Sequence, residues 1–142
     1  MTQDHGPYIK TIPRNCSGCR LCELVCSDSH HPGLVNPRKA RVRVDIEHRE
    51  NKNHPRVCIQ CADHPCLESC PVEAIQIDPS LKIPVVGKEA CTGCRACVEA
   101  CPYRVMFFDE DENFALKCDL CGGDPECVKN CAMGAIVLET SG

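Results

Sequence analysis

Residues 91–102 read Cys91-Thr92-Gly93-Cys94-Arg95-Ala96-Cys97-Val98-Glu99-Ala100-Cys101-Pro102. The spacing C-x2-C-x2-C-x3-C-P puts three thiolates on one tight loop and aims a fourth, on the helical turn that follows, toward a second site. Three further versions of this run are present. Run one is Cys16, Cys19, Cys22 and Cys26 with the same spacing. Run two is Cys58, Cys61, Cys66 and Cys70, its middle gap widened to four residues, and it is followed by Pro71. Run four is Cys118, Cys121, Cys127 and Cys131, with Gly122-Gly123-Asp124-Pro125 helping to widen its second gap to five residues. Fourfold repetition is far stronger evidence than one motif match. Iron in a [4Fe–4S] cubane takes soft thiolate ligands, one per iron. Sixteen cysteines among 142 residues therefore match four cubanes with none left over.

Composition bears this out. There is no Trp, and only two Tyr and three Phe. A chain so poor in large side chains needs something bound to replace a conventional core. The first 13 residues are polar and carry no export signal. No apolar stretch nears the roughly 20 residues that cross a bilayer. Cysteine-rich chains without an export signal are metal-binding more often than disulfide-bonded. A net charge of −4 argues against general nucleic-acid binding. The expectation is a cytoplasmic protein with no direct membrane insertion.

Along the chain, residues 1–15 read as an extended lead-in, broken by Gly6-Pro7 and Pro13, with Tyr8-Ile9 and Ile12 packing on the body. Gly18 sits inside run one, where backbone must approach sulfide closely. Residues 27–38 read as a loop. Arg41-Val42-Arg43-Val44-Asp45-Ile46-Glu47 alternates charged and apolar residues, the mark of a half-buried strand, and residues 48–56 return from it. Short strands are expected at Ile75-Gln76-Ile77, at 83–86, at 104–108, at 114–116 and at 135–138, with turns near Asp78-Pro79 and at 109–113. The repeat unit is thus a cysteine run, a helical turn and a short strand. Residues 42–46 are the displaced counterpart after run one.

In two-cluster logic the first three cysteines of a run bind one cluster and the fourth binds the cluster of the paired run. Twenty residues separate Cys70 from Cys91, which suits pairing run two with run three and leaves run one with run four. The predicted sites are Cys58, Cys61, Cys66 with Cys101; Cys91, Cys94, Cys97 with Cys70; Cys16, Cys19, Cys22 with Cys131; and Cys118, Cys121, Cys127 with Cys26. The rival scheme pairs one with two and three with four, and the 16 residues between Cys101 and Cys118 permit it. Pro71 and Pro102 follow the fourth cysteine in runs two and three, whereas Ser27 and Ala132 stand there in the other pair, so a different hydrogen-bonding shell and different potentials are expected. All-cysteine zinc sites are the structural alternative, but they combine two separated knuckles and lack the third cysteine. His30, His31 and His64 read as surface or loop histidines. Arg38, Lys39, Arg41 and Arg43 form a basic stripe, either a solvated strand face or a docking surface for an acidic patch or a cofactor phosphate. Residues 109–112 read as a charged hairpin tip. No catalytic constellation is visible.

Four such runs, with widened gaps in two and four, resemble the iron–sulfur subunits of the dimethyl-sulfoxide-reductase type, over nearly the whole chain from Cys16 to Leu138. In that family the runs pair in the nested way. Cys16-Ser17-Gly18-Cys19-Arg20-Leu21-Cys22 and residues 36–44 are most similar to the small four-cluster subunits of tungsten-dependent aldehyde oxidoreductases. The long insertions and membrane-anchoring tail of larger members are not found, and no cysteine is replaced, so no three-iron cluster is expected.

The resemblance implies an α+β fold within one domain, 1–142: two ferredoxin-like double-cluster modules, nested, with short helices and small antiparallel hairpins around the clusters. The inner module spans 57–108 and the outer 14–47 plus 114–139. The implied function is non-catalytic electron transfer through four [4Fe–4S] clusters, beside a large catalytic subunit of the tungsten or molybdenum pterin kind. A flavin subunit, a soluble ferredoxin or further copies of the chain are the other expected partners. Alternatives are a free polyferredoxin, a subunit of a hydrogenase, formate or carbon-monoxide system, and, from another class, a zinc-bound interaction module.

Overall fold

The structure, a computed structural model, describes residues 7–33, 35–61 and 64–139. The first six residues of the expected lead-in, and Ala62 and Asp63 in the widened gap of run two, lie outside the described residues.

Each cysteine run feeds a helix: α1 (Leu21–His30), α2 (Pro65–Ser69), α3 (Ala96–Ala100) and α4 (Glu126–Asn130). Left-handed residues turn the chain into the first three, Arg20 at φ 62°, His64 at 46° and Arg95 at 64°. Three helices stop at the fourth cysteine, where Cys70, Cys101 and Cys131 are extended, with ψ of 112°, 113° and 99°. Pro71 and Pro102 enforce this at Cys70 and Cys101, because a proline excludes the helical region for the residue before it, whereas α4 stops at Cys131 with Ala132 after it. With Ser27 after Cys26, α1 instead continues four residues further. Ser27 is fully buried, and its hydroxyl accepts the Asn36 N–H at 2.8 Å. The loop expected over 27–38 is thus corrected. Its first four residues are helix, and Pro37–Lys39 form a 3-10 turn capped by the Asn36 side chain.

Among the described residues all strands pair as antiparallel two-stranded ribbons. Strand β2 (Val42–Glu47) pairs with β3 (Lys52–Val57), β4 (Ile75–Ile77) with β5 (Pro84–Val86), and β6 (Phe107–Asp109) with β7 (Phe114–Leu116). The alternation in β2 is real: Val42 and Val44 are buried while Asp45 and Glu47 are exposed. Asp78 builds the turn before β5, its carboxylate accepting the N–H groups of Ser80 and Leu81. The strand expected at 104–108 begins only at Phe107. Arg104 is left-handed, at φ 57°, so the chain turns there, and Val105 and Met106 are buried without strand pairing.

The first and last strands, β1 (Tyr8–Thr11) and β8 (Ile136–Glu139), pair across the whole chain, Ile9 opposite Leu138. Helix α1 packs on α4, and α2 on α3. The repeat shows in burial. Ala74-Ile75, Val105-Met106 and Ala135-Ile136 occupy the same offset from the fourth cysteine and are all buried; Val42 is their counterpart after the longer α1. Among the described residues no helix is long and apolar enough to cross a membrane.

Candidate metal centres

The turn that gathers each run is the same. The residue before the second cysteine is left-handed in all four: Gly18 at φ 79°, Gln60 at 52°, Gly93 at 78° and Leu120 at 58°. In runs one and three glycine is needed for space as well. A Cβ on Gly93 would stand 2.5–2.6 Å from the Asn113 side chain, and one on Gly18 about 3.1 Å from Asn53. Both asparagines lie on the neighbouring hairpins and donate back to the loops, Asn53 to the Cys16 carbonyl at 3.0 Å and Asn113 to the Thr92 carbonyl at 3.4 Å. In runs two and four the same corner carries Gln60 and Leu120, both buried in the middle of the molecule.

Cys16, Cys19, Cys22 and Cys131 line one cavity of about 230 Å³, walled by Leu21, Val44, Pro55 and Ile136. Cys91, Cys94, Cys97 and Cys70 line a second, narrower gap with Ile75, Val86 and Ala115. A third is lined by Cys118, Cys121, Cys127 and Cys26. Each grouping takes three cysteines of one run and the fourth of another. Cys58 and Cys61 are close enough to Cys66 to repel its thiolate, and Cys101 packs against the same apolar cluster as Cys66. Residues 62 and 63, next to this last set, are outside the described residues.

Electrostatic contacts between sets give their order. Cys127 is near Cys22, Cys118 near Cys58, and Cys97 near Cys66. The sets containing Cys22, Cys118, Cys66 and Cys97 therefore follow one another in that sequence. The two exposed cysteines, Cys19 and Cys94, belong to the first and last sets.

The donor chemistry fits a bound metal cluster. The third cysteine of every run is buried. Burial pushes the thiols of Cys22 and Cys127 up to about 12 and those of Cys66 and Cys97 to about 11, and neighbouring thiolates add to the rise. Cys118 is driven well above the ordinary value for the same reason. Buried thiols this crowded ionise together only against a cation held among them. Backbone N–H groups are aimed at the sulfurs: Arg41 at Cys26 Sγ (3.1 Å), Ala74 at Cys70 Sγ (3.2 Å), Ala135 at Cys131 Sγ (3.4 Å) and Gln60 at Cys58 Sγ (3.3 Å). Such bonds stabilise the thiolate form. In runs two and four the donor is four residues beyond the fourth cysteine. In run one the longer helix moves it to Arg41, the residue before β2.

Several side chains differ from their sequence reading. His30 is no loop residue. It lies on α1 with its side chain only 12 % exposed; Nε2 meets Asp119 Oδ1 at 2.8 Å and Nδ1 meets the Cys26 carbonyl at 2.8 Å. His30, Asp119 and Cys121 bring three ligand atoms within 4.8 Å of one another. A histidine four residues after the fourth cysteine of run one, on one helix face, was the available signal. Asp109 is not part of a solvated tip. It is 2 % exposed and accepts from Lys39 Nζ at 2.8 and 2.9 Å. Lys39 is buried by the same contact, and the Arg43 guanidinium stacks 4.5 Å from the Phe107 centroid while donating to the Arg38 carbonyl. Two members of the basic stripe are thus committed to internal contacts rather than forming an open face. Sequence reasoning also missed Lys117, buried against Gln60 of run two and the Cys118 carbonyl of run four.

Known proteins resemble the chain over most of its length. The family described as 4Fe-4S dicluster domain matches residues 49–141. The aliphatic sulfonate oxidoreductase polyferredoxin-like subunit of Pyrococcus furiosus is 43 % identical over 124 residues, covering 87 % of this chain and 70 % of that protein. The hydrogenase-2 operon protein HybA of Escherichia coli O157:H7 is 31 % identical over 160 residues, and the match spans 88 % of this chain but about half, 49 %, of HybA. Among solved structures, a chain of the active site complex BamBC of benzoyl coenzyme A reductase is similar with a TM-score of 0.55 and 27 % identity, covering 94 % of this chain and 78 % of that one.

Proposed function

From the premise that the chain belongs to the 4Fe–4S dicluster domain family, we propose that it is the iron–sulfur electron-transfer subunit of an oxidoreductase and carries four [4Fe–4S] clusters. The four ligand sets are Cys16, Cys19, Cys22 with Cys131; Cys118, Cys121, Cys127 with Cys26; Cys58, Cys61, Cys66 with Cys101; and Cys91, Cys94, Cys97 with Cys70. The runs then nest, with an inner half of 57–108 and an outer half of 14–47 plus 114–139. The packing of α1 on α4 and of α2 on α3 supports this scheme over the sequential one.

A cluster with four cysteine ligands supplies one-electron transfer and leaves no coordination site for substrate. The chain's own residues do the rest. The thiols hold, the backbone N–H groups orient and stabilise the sulfurs, and Ile75, Ile136, Val44 and Val86 exclude water around them. The exposed Cys19 and Cys94 mark where the row comes nearest to solvent, at opposite ends.

The catalytic partner in this reading is a large subunit of the tungsten or molybdenum pterin kind, and the chain performs no chemistry on substrate itself. The name of the Pyrococcus furiosus relative, an oxidoreductase subunit, supports a catalytic partner, and so does the likeness to a chain of an active site complex. A hydrogenase partner is the second reading, favoured by HybA. Cytoplasmic location completes the proposal.

The observation that carries it is the meeting of three cysteines of one run with the fourth of another around three separate gaps. Anaerobic native purification tests it. A brown protein bleached by dithionite, about 16 irons per chain and a co-purifying large subunit are expected. Zinc in place of iron, or iron well short of that count in fully loaded protein, refutes it.

A further inference from the structure

Lys117 follows β7 and is 4 % exposed, one of the most deeply buried charged side chains described. Its ammonium donates to Gln60 Oε1 at 2.6 Å and to the Cys118 carbonyl at 3.2 Å. Both acceptors are neutral. No carboxylate lies within ion-pair distance of Lys117 among the described residues, whereas Lys39, the other buried lysine, has Asp109. Gln60 is held for this purpose: its Nε2 donates to the Cys118 carbonyl at 3.0 Å, which leaves Oε1 free to accept. It is also the residue that takes the left-handed corner of run two, where runs one and three have glycine.

A buried ammonium without a counter-ion is strongly unfavourable. What surrounds it are two cysteine runs: the carbonyl it meets belongs to Cys118, and Gln60 lies between Cys58 and Cys61 with its own N–H aimed at Cys58 Sγ at 3.3 Å. Cys118 and Cys58 belong to the second and third sets, the middle of the row. The end sets differ: among the described residues no hydrogen bond joins Lys117 or Gln60 to run one or run three.

We propose that Lys117, positioned by Gln60, is the shared counter-charge of the two central cluster sites and raises the reduction potentials of both above what their thiolate ligands alone would set. The inference rests on the cluster-binding function proposed above. Its physical basis is Coulombic. A positive charge in a water-poor interior stabilises the form that carries one more electron, and the effect falls with distance, so two sites respond and two do not. Lys117 is a positioning residue in this account; it ligates nothing.

The test is an anaerobic, EPR-monitored redox titration of the full chain, with iron counted on the same samples. Lys117→Met keeps the length of the side chain and removes the charge. Two of the four midpoint potentials are expected to fall, each by at least a tenfold change in the reduced-to-oxidised ratio at fixed poise, about 59 mV for one electron, while the other two hold. Gln60→Glu places a carboxylate against the ammonium, cancels its charge without emptying the space, and should lower the same two. Potentials that stay put, or four that move together, with a full iron complement overturn the role of Lys117. If neither variant loads iron, the lysine builds the sites rather than tuning them, and the proposal also fails. Wild-type protein lacking the iron complement would instead strike at the cluster-binding function itself.

Discussion

Replacing Lys39 with Met separates two halves of the chain that one ion pair joins. Lys39 lies in the 3-10 turn after α1, and Asp109 ends β6, 70 residues later. Both side chains are buried, and the ammonium reaches both carboxylate oxygens. Removing one partner of a buried pair costs about 3–5 kcal/mol because the other charge is stranded. Asp109 Oδ1 still accepts the N–H groups of Asp111 at 3.0 Å and Glu112 at 3.1 Å, so the lower end applies, about 3 kcal/mol. For a chain of this length that is roughly a 10 °C fall in the thermal midpoint. Asp109→Asn should cost less, since Lys39 keeps the exposed Asp111 at 3.4 Å. A double-mutant cycle on metal-loaded protein, read by far-UV circular dichroism at one scan rate, isolates the pair. The reasoning is refuted if the two single effects add to within about 0.5 kcal/mol. The pair also has a pH signature. Burial alone would raise the Asp109 carboxyl, but Lys39 and the backbone donors outweigh it and hold the value below the ordinary one. A depressed carboxylate contributes stability above its unfolded pKa and loses it as pH falls through the folded value. The gap between wild type and Lys39→Met should therefore close toward acid.

Two further predictions follow from the cysteine loops. Gly93→Ala puts a methyl against Asn113 at a left-handed position and should cost about 2 kcal/mol, whereas Gly33→Ala, equally left-handed but with nothing within 4 Å, should cost about 1 kcal/mol in the same thermal assay; equal losses would refute the role given to Asn113. Stripping the metal with a chelator should abolish the native far-UV signal, because the sites replace much of the core; retention of native dichroism, including that of the β2–β3 hairpin, would show that the polypeptide holds itself together.

The cysteine runs were legible because ligand spacing is local. Hairpins were legible for the same reason, since β2 alternates and Asp78 caps its turn within three residues. The helix continuing past Cys26 was not legible: Ser27 leaves the backbone free to stay helical, but so does Ala132 after Cys131, where α4 stops, so a missing proline permits the extension without requiring it. The buried contacts of Lys39, Lys117 and His30 were illegible, because their partners lie 70, 57 and 89 residues away and nothing in a charge pattern marks which lysine goes inside. Similarly, the strand at Phe107 slipped because the left-handed Arg104 turns the chain before it can extend.

The pairing of β1 with β8, and of Cys16 with Cys131 around one cavity, has a consequence for biosynthesis. A ribosome delivers the first three thiols of that cavity more than a hundred residues before their fourth companion. Cys70, Cys91, Cys94 and Cys97 are all available some thirty residues sooner. Under the proposed ligand scheme, assembly from the nascent chain therefore has its first finished berth once Cys97 emerges, and the thiols of run one must be kept reduced until Cys131 arrives to close over them.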